Sequence, residues 1–154
     1  MDKLQEKLVK FFASFFVGYS PVAPGTFGTL IGIPLYLILS PQGTNIYIIF
    51  TTLFIILGIE ISSLAETIFN EHDSSKIIID EIAGFLITML FIPVNIKFIL
   101  SGFVLFRIFD IWKPVPVSHL QKLPGGLGIM ADDLMAGIYS NIILQIFFGF
   151  NFLR

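Results

Sequence analysis

Apolar residues in the first segment return every three or four positions. Leu4, Leu8, Phe11, Phe12, Phe15 and Phe16 follow one stripe, and Lys3, Lys7, Lys10 and Ser14 follow the opposite one. That period predicts an amphipathic helix over residues 1–17, lying at a membrane surface. A cleaved signal peptide fits less well, because Asp2 and Glu6 interrupt the basic region and the apolar run is short. Residues 18–29 hold Pro21, Pro24, Gly25 and Gly28, too many breakers for a regular helix, and predict a shaped loop. Residues 30–39 and 45–59 are apolar on either side of Pro41 and Gly43. They predict two helices joined by a tight turn, each shorter than the roughly 20 residues that span a bilayer comfortably. After Glu60 and Glu66 comes a polar stretch, residues 70–76, which predicts a second exposed loop.

Residues 82–106 contain a single charge, Lys97, just after Pro93 and Asn95. A single kinked helix here would carry Asp80 and Arg107 to opposite membrane faces, whereas a hairpin turning near residues 93–95 returns Arg107 to the face it left. Each arm would have about 11 residues and measure roughly 17 Å against a hydrocarbon core near 30 Å, so the hairpin would be partly re-entrant. It places Lys3, Lys7, Lys10, Lys76, Arg107, Lys113 and Lys122 on one side and leaves Lys97 and Arg154 opposite. That distribution satisfies the positive-inside tendency and favours the hairpin. The final apolar run, residues 134–153, is long enough to span. The expected fold is all-α: one domain over residues 1–154, a small polytopic helical membrane protein. Its parts are the amphipathic helix over 1–17, a motif-bearing region over 18–137 and a last transmembrane helix over 134–153.

Composition agrees. Of 154 residues, 55% are hydrophobic, and residues 11–59 and 134–153 carry no charge at all. The mean hydropathy of +0.89 decides for a membrane protein. A net charge of -2 leaves no excess of cations for nucleic-acid phosphates. The absence of Cys removes disulfides, thiolate metal sites and thiol nucleophiles.

With the loops gathered on one face, three polar groups meet: the Pro/Gly loop with Thr26 and Thr29, the Asp80–Glu81 pair, and the stretch from Arg107 to Asp133. Arg107 and Asp110 are three apart and share a helical face, with Lys113 one turn on. Gly125, Gly126 and Gly128 would let the backbone approach a ligand and present N–H groups to a phosphate. Carboxylates at Asp80, Glu81, Asp110, Asp132 and Asp133 cannot all ionise beside hydrocarbon without a cation, and oxygen-only ligands point to Mg²⁺ before Zn²⁺. Arg107 and Lys113 supply positive charge for phosphate oxygens. Together these features describe phosphoryl chemistry. Plainer readings compete: Asp132 and Asp133 as caps of the last helix, Asp80 and Glu81 as an interfacial helix start, Arg107 and Asp110 as a simple ion pair. Glu60 and Glu66 read as interfacial, and His72 and His119 as exposed residues in polar segments.

Four blocks carry a resemblance: Gly18-Tyr-Ser-Pro-Val-Ala-Pro-Gly-Thr-Phe-Gly-Thr29, Ile78-Ile-Asp-Glu-Ile-Ala-Gly84, Phe106-Arg-Ile-Phe-Asp-Ile-Trp-Lys-Pro-Val-Pro116 and Gly125-Gly-Leu-Gly-Ile-Met-Ala-Asp-Asp133. In this order they resemble the phosphatidylglycerophosphatase A family. The departures are minor: Thr29 stands where Ser is common, and Ala83 and Ala131 replace bulkier residues. The resemblance implies a Mg²⁺-dependent lipid phosphatase, a multi-pass protein of the bacterial inner membrane with its site on the cytoplasmic face. It would convert phosphatidylglycerophosphate to phosphatidylglycerol in phospholipid biosynthesis, with no nucleic-acid partner; a homo-oligomer stays open. It implies Asp80, Glu81, Asp132 and Asp133 as metal ligands or water-activating groups, and Asp110 as a further ligand or the orienter of Arg107. Arg107, Lys113, Gly126, Gly128 and the segment with Pro24, Gly25, Thr26, Gly28 and Thr29 would hold the phosphate. The rival class is a small membrane transporter or cation-binding oligomer using the same carboxylates. That rival would place acids within the spans, whereas here they cluster at expected helix ends. A transferase passing a phospho-alcohol to a lipid would need a spaced Asp/Gly/Arg signature that the chain lacks.

Overall fold

A computed structural model describes the backbone of residues 1–152 and the side chains of residues 1–147. Among the described residues there are helices and no strands, as the hydropathy pattern requires. In chain order they are α1 (Lys3–Ser14), α2 (Pro24–Leu39), α3 (Thr44–Phe69), α4 (Ile79–Thr88), α5 (Ile96–Trp112), the short α6 (Val117–Leu120) and α7 (Gly126–Phe152). Three stretches are long and apolar enough to cross a membrane: Pro24–Gln42, Thr44–Phe69 and Gly126–Phe147.

The N-terminal helix forms but ends at Ser14 rather than at residue 17, because Phe15 and Phe16 take left-handed φ and leave it. Asp2 caps it, accepting from the Gln5 amide at 2.7 Å while the Gln5 side chain accepts from the Asp2 amide. The hairpin also forms, with α4 and α5 as its arms and residues 89–95 as its turn.

Three further boundaries differ from the expectation. The loop expected over 18–29 ends early, because α2 starts at Pro24. Proline in the first turn is preorganised for a helix rather than hostile to it, and Gly28 is spent on close packing against α4 and the residue before it. Helix α3 does not stop at residue 59 but runs on to Phe69, about 39 Å in all, so it spans without thinning the bilayer. The last helix starts at Gly126, not at 134, because its first turns tuck against α3. There the Gly126 amide donates to Ser63 Oγ at 2.8 Å, and a Cβ at Gly126 would sit 1.9 Å from the Ile59 carbonyl. The expected end of that span, Leu153, lies outside the described residues, as does Arg154.

Helix α4 is the hub, packed between α2 and α7. Small residues permit this: a Cβ at Gly137 would lie 2.4 Å from the Gly84 carbonyl, and one at Gly32 would lie 2.9 Å from the Phe85 ring. The core beneath contains Tyr36, Phe85, Leu86, Met89, Phe106 and Leu144.

A hairpin that turns inside a membrane leaves backbone carbonyls with no water to satisfy them. Side chains from three helices do so here. Tyr36 Oη donates to the Ile92 carbonyl at 2.9 Å and Tyr47 Oη to that of Leu86 at 2.7 Å. Asn141 Nδ2 reaches both Thr88 (2.9 Å) and Leu90 (2.7 Å). The short arm is therefore held by α2, α3 and α7 together, and its first turn is fixed at the opposite end of the bundle.

Candidate active site

At that end α2 begins, α4 begins, α5 finishes and α7 completes its second turn. Asp80 and Glu81 stand in the first turn of α4 and Asp133 lies about two turns into α7. Each offers an oxygen to one small space, all within 4.8 Å of one another. Asp80 and Asp133 are only 6% and 3% exposed. Glu81 Oε2 is buried without a hydrogen-bond partner. Burial above all, then the neighbouring Glu81 carboxylate, pushes the Asp80 carboxyl well above the usual range. Burial raises Glu81 to about 8, with Asp133 and Asp110 adding repulsion, against a hydrogen bond with Asp80 and the Arg107 charge. Three crowded carboxyls in a dry site, one with an orphaned oxygen, are the donor set a hard divalent cation such as Mg²⁺ takes, so the residues present fit that ion.

Beside this triad, Arg107 Nη1 lies 2.5 Å from Asp110 Oδ2. Arg107 Nε is buried with no hydrogen-bond partner, while Nη1 is engaged by the Asp110 carboxylate. A guanidinium with a buried Nε to spare suits the grip of a phosphate. Helix α2 presses its first turn onto both groups. A Cβ at Gly25 would fall 2.2 Å from Glu81 Oε1 and 3.1 Å from Arg107 Nη1. Only glycine fits there, because any side chain would fill the space between carboxylate and guanidinium.

The second cation, Lys113, is placed by its left-handed conformation (φ 47°) at the end of α5, and its Nζ lies 2.5 Å from Asp132 Oδ2. Adjacent on α7, Asp132 and Asp133 thus face different partners: Asp133 joins the triad and Asp132 holds Lys113. Neither caps α7, which starts several residues earlier.

The remaining expected residues divide. Pro24 and Thr26 lie in the first turn of α2, and a Cβ at Gly28 would stand 3.2 Å from Glu81 Cβ. Thr29 turns away, its Oγ1 donating to the Gly25 carbonyl at 3.0 Å within its own helix. Gly126 and Gly128 pack rather than bind. Gly126 sits against Ile59 and Ser63, with its amide already taken by Ser63, and a Cβ at Gly128 would lie 2.1 Å from the Leu123 carbonyl. Their density reflects the close approach of α7 to α3 and to the preceding loop. His72 pairs with Glu66, outside the triad.

One residue escapes the sequence reading. Asp73 is placed at φ 50° and accepts from Gln121 Nε2 at 2.5 Å, and its charge is felt at Asp80 and Lys113. Its signal was an Asp, a residue that tolerates the left-handed region, seven positions before Asp80.

Comparison with known proteins bears on this arrangement. A family model described as Phosphatidylglycerophosphatase A matches residues 11–148. A Phosphatidylglycerophosphatase A of Escherichia coli is 36% identical over 129 residues, covering 82% of this chain and 75% of the relative. One from Haemophilus influenzae is 41% identical over 125 residues, covering 79% and 77%. A Bacteroides thetaiotaomicron protein provisionally named a phosphatidylinositol-3-phosphatase is 36% identical over 137 residues, covering 84% and 86%. No solved structure gives a significant match. The four sequence blocks, the site they assemble and these matches agree: the chain belongs to the phosphatidylglycerophosphatase A family.

Proposed function

We propose that the protein removes the terminal phosphate of phosphatidylglycerophosphate, giving phosphatidylglycerol and inorganic phosphate in phospholipid biosynthesis. It would be Mg²⁺-dependent and lie in a bacterial inner membrane, its site open to the cytoplasm. The observation that carries this reading is the buried triad of Asp80, Glu81 and Asp133 with the underused guanidinium of Arg107 against it. Asp80, Glu81 and Asp133 would hold the ion, which when bound supplies a Lewis acid for the phosphoryl oxygen and lowers the pKa of a water. Arg107 donates to the phosphate oxygens, and Gly25 leaves room for them. Asp110 keeps Arg107 turned inward. Lys113, tethered by Asp132, adds positive charge at the mouth. Water oxygen joins phosphorus as the bond from phosphorus to the lipid oxygen breaks, and the lipid alcohol leaves with a proton from that water. Asp132 is assigned here to Lys113 rather than to the ion.

A transporter would need acids along its spans, whereas the convergent acids here share one end of the bundle. The names of the relatives make the headgroup the sharper question. Detergent-purified protein is given phosphatidylglycerophosphate, or phosphatidylinositol 3-phosphate, with Mg²⁺ or with a chelator, and released phosphate is measured. Release from the first lipid that stops on chelation is expected. Release indifferent to chelation overturns the metal assignment, exclusive release from the inositol lipid overturns the substrate, and no release from either overturns the hydrolase reading.

A further inference from the structure

Helix α1 is apolar over more of its surface than the protein covers. Val9 and Ala13, four apart, pack on the cluster of Ala65, Ile77 and Ile79. Leu4, Leu8 and Phe12, also four apart, stay exposed. The flanking edge is basic: Lys3, Lys7 and Lys10 stand against Glu6. Lys10 Nζ is held by Glu6 at 2.5 Å, while Lys7 has no ion-pair partner among the described residues.

Between this basic edge and the aromatic end of the helix lies an open cavity of about 400 Å³, lined by Lys7, Leu8, Lys10, Phe11, Phe16 and Tyr19. Its aromatic wall is held in a costly shape. Phe15 and Phe16 both adopt left-handed φ, 44° and 63°, which a bulky residue rarely does. The Phe15 amide donates to the Phe11 carbonyl at 2.7 Å and the Phe16 amide to Ser14 Oγ at 3.3 Å. The result is Phe16 at 72% exposure beside two lysines. Strain of this kind persists where the surroundings over-determine it, and it gathers at ligand sites.

The cavity is also tied to the triad without being part of it. The Ile78 amide donates to the Ala13 carbonyl at 2.8 Å, and a Cβ at Gly18 would fall 2.1 Å from the Lys76 carbonyl. The end of α1 and the turn after it therefore brace the segment that leads into Asp80.

A free phosphate would use the lysines and ignore the apolar wall, and a neutral lipid would do the reverse. A ligand with one negative phosphate and a hydrocarbon chain uses both. We propose that this cavity binds an anionic phospholipid of the surrounding membrane, its phosphate on the unpaired Lys7 beside the Lys10–Glu6 pair and the start of its acyl chain along Leu8, Phe11 and Phe16. The site is separate from the reacting centre and does not depend on the hydrolase reading.

The test uses the delipidated full chain in detergent, with divalent cations chelated, and native mass spectrometry to count bound dioleoyl phosphatidylglycerol or phosphatidylcholine. The unaltered chain is expected to retain the anionic lipid at least tenfold more than the zwitterionic one. Lys7→Gln/Lys10→Gln should lose that preference, and Arg107→Gln, which disarms the reacting centre, should keep it. Lys7→Gln alone leaves helix α1 nearly unchanged and carries the test if circular dichroism shows the double variant misfolded. Equal retention of the two lipids, undiminished retention in the lysine variants, loss of retention in Arg107→Gln, or displacement of the lipid by millimolar inorganic phosphate would each overturn the proposal.

Discussion

Asp132 and Asp133 are neighbours in sequence, yet one successive step around α7 gives them different chemistry. Asp133 shares oxygens with Asp80 and Glu81, whereas Asp132 holds Lys113. Asp133→Asn should therefore lower turnover by at least about 100-fold, since it keeps the shape and loses an anionic ligand. Asp132→Asn should act mainly on substrate use through a loosened Lys113, raising KM more than it lowers kcat. Steady-state kinetics on folded variants separate the two, and equal profiles would mean the acids act as a unit. Glu81 supports a second prediction. Its carboxyl is raised to about 8 in the fold from an ordinary 4.5, so between those values the folded state binds more protons than the unfolded chain does. Stability is then fully present below pH 4.5 and lost as pH climbs through 8. Chelated protein in detergent should melt roughly 5 °C or more lower at pH 8.5 than at pH 5, and millimolar Mg²⁺ should close the gap. A melting point flat across that range would leave no crowded acids to relieve. The carboxylates and Arg107 were legible in the sequence because charge is scarce in this chain and each charged position stands out. Asp73 was not, because its partner Gln121 is 48 positions away and only the fold brings them together.

Among the elements, the hairpin of α4 and α5 was readable from charge: one lysine near a proline, and a better sorting of basic residues if the chain turns back. The starts of α2 and α7 were hidden because glycine and proline mean two things. In water-facing segments they break helices, whereas between membrane helices they allow backbones to touch, as Gly126 and Gly137 do here. How the hairpin turn keeps its carbonyls paired was not legible either, since no pattern in residues 82–106 names Asn141 as the donor to Thr88 and Leu90. Removing that donor tests the account. Asn141→Leu suits the apolar surroundings by itself, yet it strands two carbonyls and should destabilise the protein by roughly 1–3 kcal/mol. Tyr47→Phe, which strands the Leu86 carbonyl alone, should cost less. Unfolding in mixed detergent measures both, and an unchanged Asn141→Leu would show that the turn finds its partners elsewhere.

At the scale of the molecule, the site and most of the basic charge occupy the same end. Arg107 and Lys113 lie beside the triad and Lys76 stands three residues before α4 at that end, while Lys97 stands in the first turn of α5 at the other end, beside the hairpin turn. Cytoplasmic loops of membrane proteins hold such an excess of lysine and arginine, and the proposed orientation, with the triad towards the cytoplasm and residues 93–95 towards the outer face, follows that tendency. The chain contains no cysteine, so one introduced thiol reports one position. In intact cells, Asn95→Cys should react with a membrane-impermeant maleimide added outside. Lys122→Cys, on the loop before α7, should react only after the membrane is opened. Asn95 caps α5 by accepting from the Lys97 amide at 2.8 Å, so the variant loses a cap as well as gaining a thiol. Val94→Cys, exposed in the same turn, repeats the measurement with that cap in place. Because α4 has only 10 residues, roughly 15 Å, the turn lies below the outer surface rather than beyond it. Labelling at 94 and 95 should accordingly be slower than at an exposed loop but still come from outside. Protection of both positions until the cells are opened would invert the molecule and place the acids on the outer face, against the proposed orientation.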